Sequence, residues 1–302
     1  MIPSERTYAV TALIPKGKVL TYKSVGTYAQ VSNPRVVGNH LHTNPYPGII
    51  PCHRVINTQG RVAKTFAFGG GEEQKTMLEK EGVVFIGDKA DLTSSLWQPT
   101  ELVKFYWKLL FTYGFPGKWP WFGGKLAKSS DEIIIGAILT QNTNWRNVEH
   151  ALTSLKNAGA CSLDSIAKLG EEKLKELIKP SGYYNQKAKR LLALSKFISD
   201  NYKTLNTFFT LPTERARQEL LAINGIGKET ADTILLYAGN KPIFVIDAYT
   251  KCFCAFFKIT SDVKYDELQR FFIQNLPSKI ELFQDFHALI VQWGKERSLK
   301  TV

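Results

Sequence analysis

LLAINGIGKETADTILLYA, residues 220–238, sets Gly225 and Gly227 two positions apart between two stretches of helical periodicity, with Lys228 directly after them and Thr230 at the start of the second stretch. Glycine permits the left-handed backbone and close approach that a tight hairpin between helices requires. Amides at the N-terminus of the second helix would then point outward and form a phosphate site indifferent to base sequence. An ordinary Gly-rich turn between helices is the structural alternative. Working outward, residues 131–139, 171–178 and 185–198 have the apolar spacing of amphipathic helices, so the second half reads as nearly all helix. Downstream, KPIFVIDAYTKCF (241–253) places Asp247 after an apolar run, where a buried carboxylate is costly without a partner or a task. Capping the following helix is the structural reading of that aspartate.

The hairpin, its spacing to Asp247, AILTQNTNW (137–145) and KPSGYYNQKAKRL (179–191) together resemble the helix-hairpin-helix DNA glycosylases of the endonuclease III superfamily, especially their 3-methyladenine glycosylases. The likeness covers about residues 103–298 and implies a two-lobed all-α HhH-GPD domain. It implies that Gly225, Gly227, Lys228 and Thr230 meet the DNA backbone and that Asp247 supports base excision. Bifunctional lyases of the superfamily carry a lysine where this chain has Glu229, so the resemblance implies a monofunctional enzyme. Many relatives add a four-cysteine iron-sulfur loop; here Ser298 stands at the expected first ligand, and Cys252 and Cys254 form only a C-x-C pair, too few for such a cluster. No cofactor or metal is expected, and core packing is expected of the two cysteines. WPWF (119–122) puts Trp119, Trp121 and Phe122 where similar glycosylases supply an aromatic wall for a cationic, alkylated base, with Trp145 and Lys187 as further pocket candidates. Such aromatics are also common core residues.

The first half has a different texture: short segments broken by Pro and Gly, ending at DLTSSLWQP (91–99), which has the composition of a connector. Domains are expected at 1–92 and 103–302, with a linker at 93–102. Residues 22–31 and 35–42 have helical spacing around the Ser32-Asn33-Pro34 breaker, a helix-turn-helix spacing. In NPYPGIIPCHRV (44–55), Cys52 stands beside the basic pair His53 and Arg54. A lone cysteine is commonly an inert buried residue, but a cationic neighbourhood favours thiolate, and His53, oriented by Glu81, could carry the proton away.

These segments, with IPKGKVLTY (14–22), NPRVVGNHLHTNP (33–45) and FAFGGGEEQKTMLEKEG (66–82), resemble in order the active-site domain of the O6-alkylguanine-DNA alkyltransferases. The resemblance implies a winged-helix-like domain in which Cys52 accepts the alkyl group and His53 and Glu81 form a water-linked proton relay. It implies that Tyr22 presses on a phosphate, that Arg35 fills the gap left by an extruded guanine, and that Asn44 braces the recognition helix and active-site loop. Asn39 and His40 depart from the small residues of the family's recognition helix. The alkyltransferase-like proteins, which bind lesions without repairing them, lack the cysteine that this chain has.

Composition agrees with both readings. Lys and Arg number 39 against 27 Asp and Glu, a net charge of +12, the balance of a protein that meets a polyanion. An apolar fraction of 44% excludes a disordered chain, and four cysteines form no disulfide framework. No signal peptide or membrane span is recognised. A mainly α, intracellular protein of the cytoplasm, nucleoid or nucleus is expected, acting as a monomer on double-stranded DNA with alkylated bases. Two alternatives follow from the same residues: an endonuclease III-like glycosylase and abasic-site lyase, or an N-terminal domain that only senses alkyl lesions.

Overall fold

Capping side chains decide where most helices of this chain begin. The computed structural model describes residues 1–117, 129–260 and 264–298, and the chain divides into two compact units: Met1–Gly114 with Asn275–Pro277, and Phe115–Gln274 with Ser278–Val302.

In the first unit α1 (Pro3–Ala12) precedes β1 (Leu20–Thr21) and α2 (Tyr22–Ala29). Thr21 opens α2 by accepting from the Ser24 amide at 3.0 Å, and Gln30 closes it in the left-handed conformation (φ 56°). Asn33 then caps α3 (Pro34–His42) through the Arg35 amide at 2.9 Å, with Pro34 pre-set at the first helical position. The expected helix-turn-helix is thus present. β2 (Val55–Ile56) pairs parallel with β1, Leu20 opposite Val55 and Thr21 opposite Ile56. α4 (Gly70–Lys80) leads to a short antiparallel hairpin of β3 (Phe85–Ile86) and β4 (Lys89–Ala90). Val19, Ile56, Leu78, Val83 and Ala90 form a core beneath these strands.

The linker expectation needs correction. Asp91 caps a short helix, α5 (Leu92–Ser95), and α6 (Glu101–Tyr113) belongs to the first unit, which extends to Gly114. The cause is an aromatic anchor: Trp107 is buried with its ring 5.2 Å from Tyr28 and 6.0 Å from Trp97. Burying an indole of that size stabilises by roughly 2–3 kcal/mol, which outweighs the connector composition of residues 91–99.

The second unit is helical throughout its described residues. It comprises α7 (Ser130–Leu139), α8 (Trp145–Asn157), α9 (Leu163–Lys168), α10 (Glu171–Ile178), α11 (Tyr184–Tyr202), α12 (Leu205–Phe209), α13 (Thr213–Leu221), α14 (Lys228–Thr233), α15 (Ala248–Phe256), α16 (Tyr265–Asn275) and α17 (Ile280–Ser298). Ser129, Asn144, Ser162 and Thr204 cap α7, α8, α9 and α12 through their side-chain oxygens. From Ile133 onward α7 is buried on every face, so it is a core helix and not the amphipathic one its spacing suggests. Between α14 and α15 a wide π-helical turn, Ile234–Ala238, is followed by the extended apolar run that delivers Asp247. Phe244 in that run stacks on Phe272 at 4.3 Å and meets Phe283 and Phe286 edge-on, which fixes the approach to Asp247 inside an aromatic core. Cys254 lies in this core as expected, but Cys252, two residues away on the same helix, is exposed. Among the described residues, no helix is long and apolar enough to cross a membrane.

Candidate functional site

Cys52 begins a single 3-10 turn, Cys52–Arg54, and is buried. Burial pushes its thiol pKa up, and hydrogen bonds from Asn44 and from the Cys52 and His53 amides offset only part of that. The resting group is therefore the thiol, which corrects the thiolate expected of a cationic neighbourhood: Arg54 is engaged by Glu81 and burial prevails. Asn44 is itself buried; its Nδ2 donates to the Ile50 carbonyl at 3.2 Å and its Oδ1 accepts from the Tyr46 amide at 2.9 Å, so it ties the end of the recognition helix to the loop carrying Cys52. Tyr22 stands close enough to Cys52 for burial first, and the charge of the cysteine second, to raise its phenol pKa.

Glu81, at the end of α4, is the hub beside the cysteine. Arg54 donates Nε to Oε2 at 2.8 Å and Nη2 to Oε1 at 2.6 Å, while its Nη1 is anchored on the Ile14 carbonyl at 2.7 Å. His53 Nε2 lies 3.1 Å from Oε1. Burial works to raise the Glu81 carboxyl pKa, but the hydrogen bonds and charges of Arg54 and His53 prevail and lower it to about 2. An ionised carboxylate only accepts, so His53 carries its proton on Nε2 and turns the Nδ1 lone pair away from Glu81. Burial also lowers the His53 pKa, keeping that ring neutral. Gly17 adds an amide to Glu81 Oε2 at 3.4 Å; it has φ +75° and a side chain there would meet the Glu81 carbonyl, so glycine is required in the IPKGKV segment. Sequence reading grouped Arg54 with the basic neighbours of Cys52; its part as the clamp on Glu81 is visible only in the fold.

Arg35 is exposed at the second position of α3, and Asn39 is exposed on the same helix. His40 faces inward instead: its Nδ1 is 3.0 Å from the Thr7 hydroxyl and its carbonyl accepts from Tyr8. Its bulk is taken up by α1, so the departure from small residues at position 40 leaves the outer face of α3 open.

In the second unit, Gly225 has φ +87°, as the hairpin reading requires, while Gly227 is extended and caps α14. A side chain at Gly225 would strike Arg190. Gln141, from the AILTQNTNW segment, braces the hairpin from behind: its Nε2 donates to the Gly225 carbonyl at 3.3 Å and to Thr230 Oγ1 at 2.9 Å, and Arg190 holds its Oε1. Thr230 is thereby corrected. Its hydroxyl is buried and accepts from Gln141, so it is not a free donor at the surface. Lys228 is on the exposed face but is paired with Asp266, which also receives Arg217 Nη2 at 3.3 Å.

Asp247 caps α15. Its Oδ1 accepts from the Thr250 amide at 2.7 Å and from the Thr250 hydroxyl at 2.9 Å, and its Oδ2 lies 3.5 Å from His287 Nε2 on α17. Burial works to raise the carboxyl pKa, yet His287 and Thr250 hold it below the ordinary carboxylate range, so Asp247 is ionised. Glu229, on the first turn of α14, lies in its field: partial desolvation, then the charge of Asp247, raises the Glu229 pKa. No sequence signal marked His287, which lies far beyond Asp247 on the last described helix, and Tyr237, although inside the hairpin segment, reads as an ordinary apolar position until its hydroxyl is seen on His287.

Lys187 is corrected from pocket wall to core. It is 1% exposed, and its Nζ donates to the Leu139 carbonyl at 2.9 Å and the Ser181 carbonyl at 2.7 Å, closing the C-terminus of α7. Burial, then Arg190, lowers its pKa to about 8. Trp145 is half-buried at the first position of α8. Trp119, Trp121 and Phe122 lie outside the described residues. Among the described residues no group of three or more His, Cys, Asp or Glu is placed to hold a metal ion.

Comparison with known proteins follows the same division. Residues 3–83 match the 6-O-methylguanine DNA methyltransferase DNA binding domain, and residues 135–278 match the HhH-GPD superfamily of base excision DNA repair proteins. A protein of Methanocaldococcus jannaschii named as a DNA repair glycosylase is 46% identical over 200 residues, 65% of this chain and 87% of its own length. Alkyltransferase-like protein 1 of Schizosaccharomyces pombe is 36% identical over 103 residues, 31% of this chain and 93% of its own. Two archaeal methylated-DNA–protein-cysteine methyltransferases are spanned over only 40% and 45% of their lengths. Among solved structures, the Helicobacter pylori 3-methyladenine DNA glycosylase bound to 1,N6-ethenoadenine superposes with a TM-score of 0.56 at 34% identity, covering 64% of this chain and 97% of that one. The chain belongs to the HhH-GPD superfamily of base excision DNA repair proteins and carries, in residues 3–83, a 6-O-methylguanine DNA methyltransferase DNA-binding domain.

Proposed function

We propose that this protein repairs alkylated double-stranded DNA by two routes, hydrolysing the N-glycosidic bond of alkylated purines of the 3-methyladenine type at Asp247 and moving an alkyl group from O6-alkylguanine to Cys52. The observation that carries the first route is the pair of carboxylates at the glycosylase site. Asp247 is held ionised, and the residue of α14 that feels its charge is Glu229, an acid, where a lyase needs an amine. An N-alkylated purine carries a positive charge, so when the glycosidic bond breaks its electron pair leaves with the base, which departs neutral and needs no proton. Asp247 then stabilises the cationic sugar, water adds at C1′ and loses a proton, and an abasic site remains. This reading calls on no metal or cofactor.

For the second route the neutral His53, with Nε2 donating to Glu81, offers Nδ1 to take the Cys52 proton through a water molecule. The sulfur attacks the alkyl carbon, the carbon–O6 bond breaks with its electrons going to guanine, and a thioether remains; one chain repairs one lesion. A buried thiol with a raised pKa also favours a second reading, in which this domain holds the lesion without reacting.

Base release from methylated duplex DNA by wild type and Asp247→Asn, with alkali added afterwards to reveal abasic sites, tests the first route. Release that depends on Asp247 supports it; no release from a folded, DNA-binding protein overturns the alkylpurine assignment. The mass of the peptide holding Cys52 after incubation with O6-methylguanine DNA separates transfer from sensing, because only transfer adds one methyl group.

A further inference from the structure

We propose that Tyr237 and His287, hydrogen-bonded to each other in the core, form a buried relay that positions the Asp247 carboxylate for base excision, an inference that rests on the glycosylase reading above. A helix cap uses one carboxylate oxygen, and Thr250 already supplies both donors to Oδ1. The other oxygen, Oδ2, is met by His287 from α17, 40 residues on in sequence. That second grip is superfluous to capping and is what would set the rotation of the carboxylate about its χ2 axis.

The ring is held from behind. His287 Nδ1 is 2.7 Å from the Tyr237 hydroxyl, which also lies 3.2 Å from the Gln284 carbonyl. Gln284 in turn donates Nε2 to the Leu236 carbonyl at 2.9 Å, fastening α17 to the wide turn that carries Tyr237. Tyr237, Gln284 and His287 are all buried. The wide turn, closed by the Gly239 amide on the Ile234 carbonyl at 3.0 Å, inserts an extra residue into the helical ladder and so aims Tyr237 at α17; such turns occur disproportionately at functional sites.

The tyrosine hydroxyl has one proton, and this fixes the donor pattern. Where Tyr237 donates to Nδ1, the ring is neutral with its proton on Nε2. Where Tyr237 donates to the Gln284 carbonyl, its oxygen accepts from His287 Nδ1–H. The first arrangement aims the Nε2–H at Asp247 Oδ2, a donor from which an ionised carboxylate accepts. The same contact opposes burial in keeping its carboxyl below the ordinary range. At 3.5 Å the contact is long, and a small ring shift on DNA binding would close it.

Single-turnover base release from methylated duplex DNA, read beside duplex affinity and melting temperature, tests the relay in the full chain. His287→Ala is expected to slow release on the order of 10- to 100-fold with duplex affinity unchanged, and His287→Gln, which keeps an amide donor, to restore most of the rate. Tyr237→Phe is expected to slow release a few-fold in wild type and to add nothing in the His287→Ala background, a coupling that loss of packing alone would not produce. Should His287→Ala fail to fold, the Gln variant and the Tyr237→Phe pair still decide. Equal rates in all variants beside an active wild type would overturn the relay alone; an inactive wild type would overturn the glycosylase reading and the relay with it.

Discussion

Cys52 is buried and Asp247 largely so, and burial acts on both in the same direction with opposite consequences. It pushes both pKa values up. At Cys52 nothing nearby reverses that, so the site rests as a thiol, and the proposed transfer would need a relay to remove its proton. At Asp247 the Thr250 donors and His287 do reverse it, so the charge is in place before any substrate arrives. At the first site the charged acid, Glu81, is engaged by Arg54 and His53; at the second the acid is Asp247 itself, held by Thr250 and faced by His287 at 3.5 Å. The lesson is that burial alone does not define a reactive group, and the hydrogen bonds around it decide whether it moves a proton or holds a charge.

The largest expected effects remove the groups themselves. Cys52→Ala should abolish methyl transfer entirely, read as the absence of a mass increase, while leaving base release intact. Asp247→Asn keeps the cap but loses the charge, and should slow base release on the order of 10²- to 10³-fold without affecting methylation of Cys52. If either variant silences both reactions, the two sites are not independent and the contrast drawn above fails.

Removing the relay acid should cost less. Glu81→Gln is expected to slow methyl transfer on the order of 10²-fold, because His53 loses the charge that stabilises its protonated form. It also carries a stability signature. The folded pKa of Glu81, about 2, lies below its ordinary value of 4.5, so its contribution is fully present above about pH 4.5 and is lost as pH falls through about 2. Denaturant titrations at neutral pH and near pH 2.5 should show wild type losing up to roughly 3 kcal/mol more than Glu81→Gln over that interval. An unchanged acid limb would mean that Arg54 does not clamp the carboxylate.

Much of this was legible in the sequence. The helix-turn-helix, the long helices of the second half, the left-handed glycine at 225, the Cys52 constellation and Asp247 all follow from local patterns of spacing, breakers and neighbours. What escaped was non-local. Arg54 finds Glu81 across 27 residues, Gln141 finds the hairpin across 84, and His287 finds Tyr237 across 50, and no periodicity encodes such pairings. Lys187 was misread for the same reason, since a lysine in a helix reads as a surface or pocket group until its ammonium is seen on two buried carbonyls. Lys187→Met should accordingly lower stability by about 1–3 kcal/mol and leave base release per folded molecule unchanged. The folded pKa near 8 means that the unfolded chain binds the extra proton between about pH 8 and 10.5, so wild type should gain stability relative to the variant as pH rises through that window.

The smallest expected effect separates a DNA contact from a structural ion pair at the hairpin. Lys228 is half exposed and paired with Asp266, which is similarly exposed, so the pair itself adds little to stability. If Lys228 exchanges Asp266 for a phosphate when DNA binds, Lys228→Ala should weaken duplex binding several-fold and reduce the slope of log affinity against log salt by about one. Asp266→Asn, which frees the ammonium beforehand, should strengthen binding modestly. An unchanged slope in Lys228→Ala would confine this lysine to tying α14 to α16, and the hairpin would then have to hold the backbone through its amides alone.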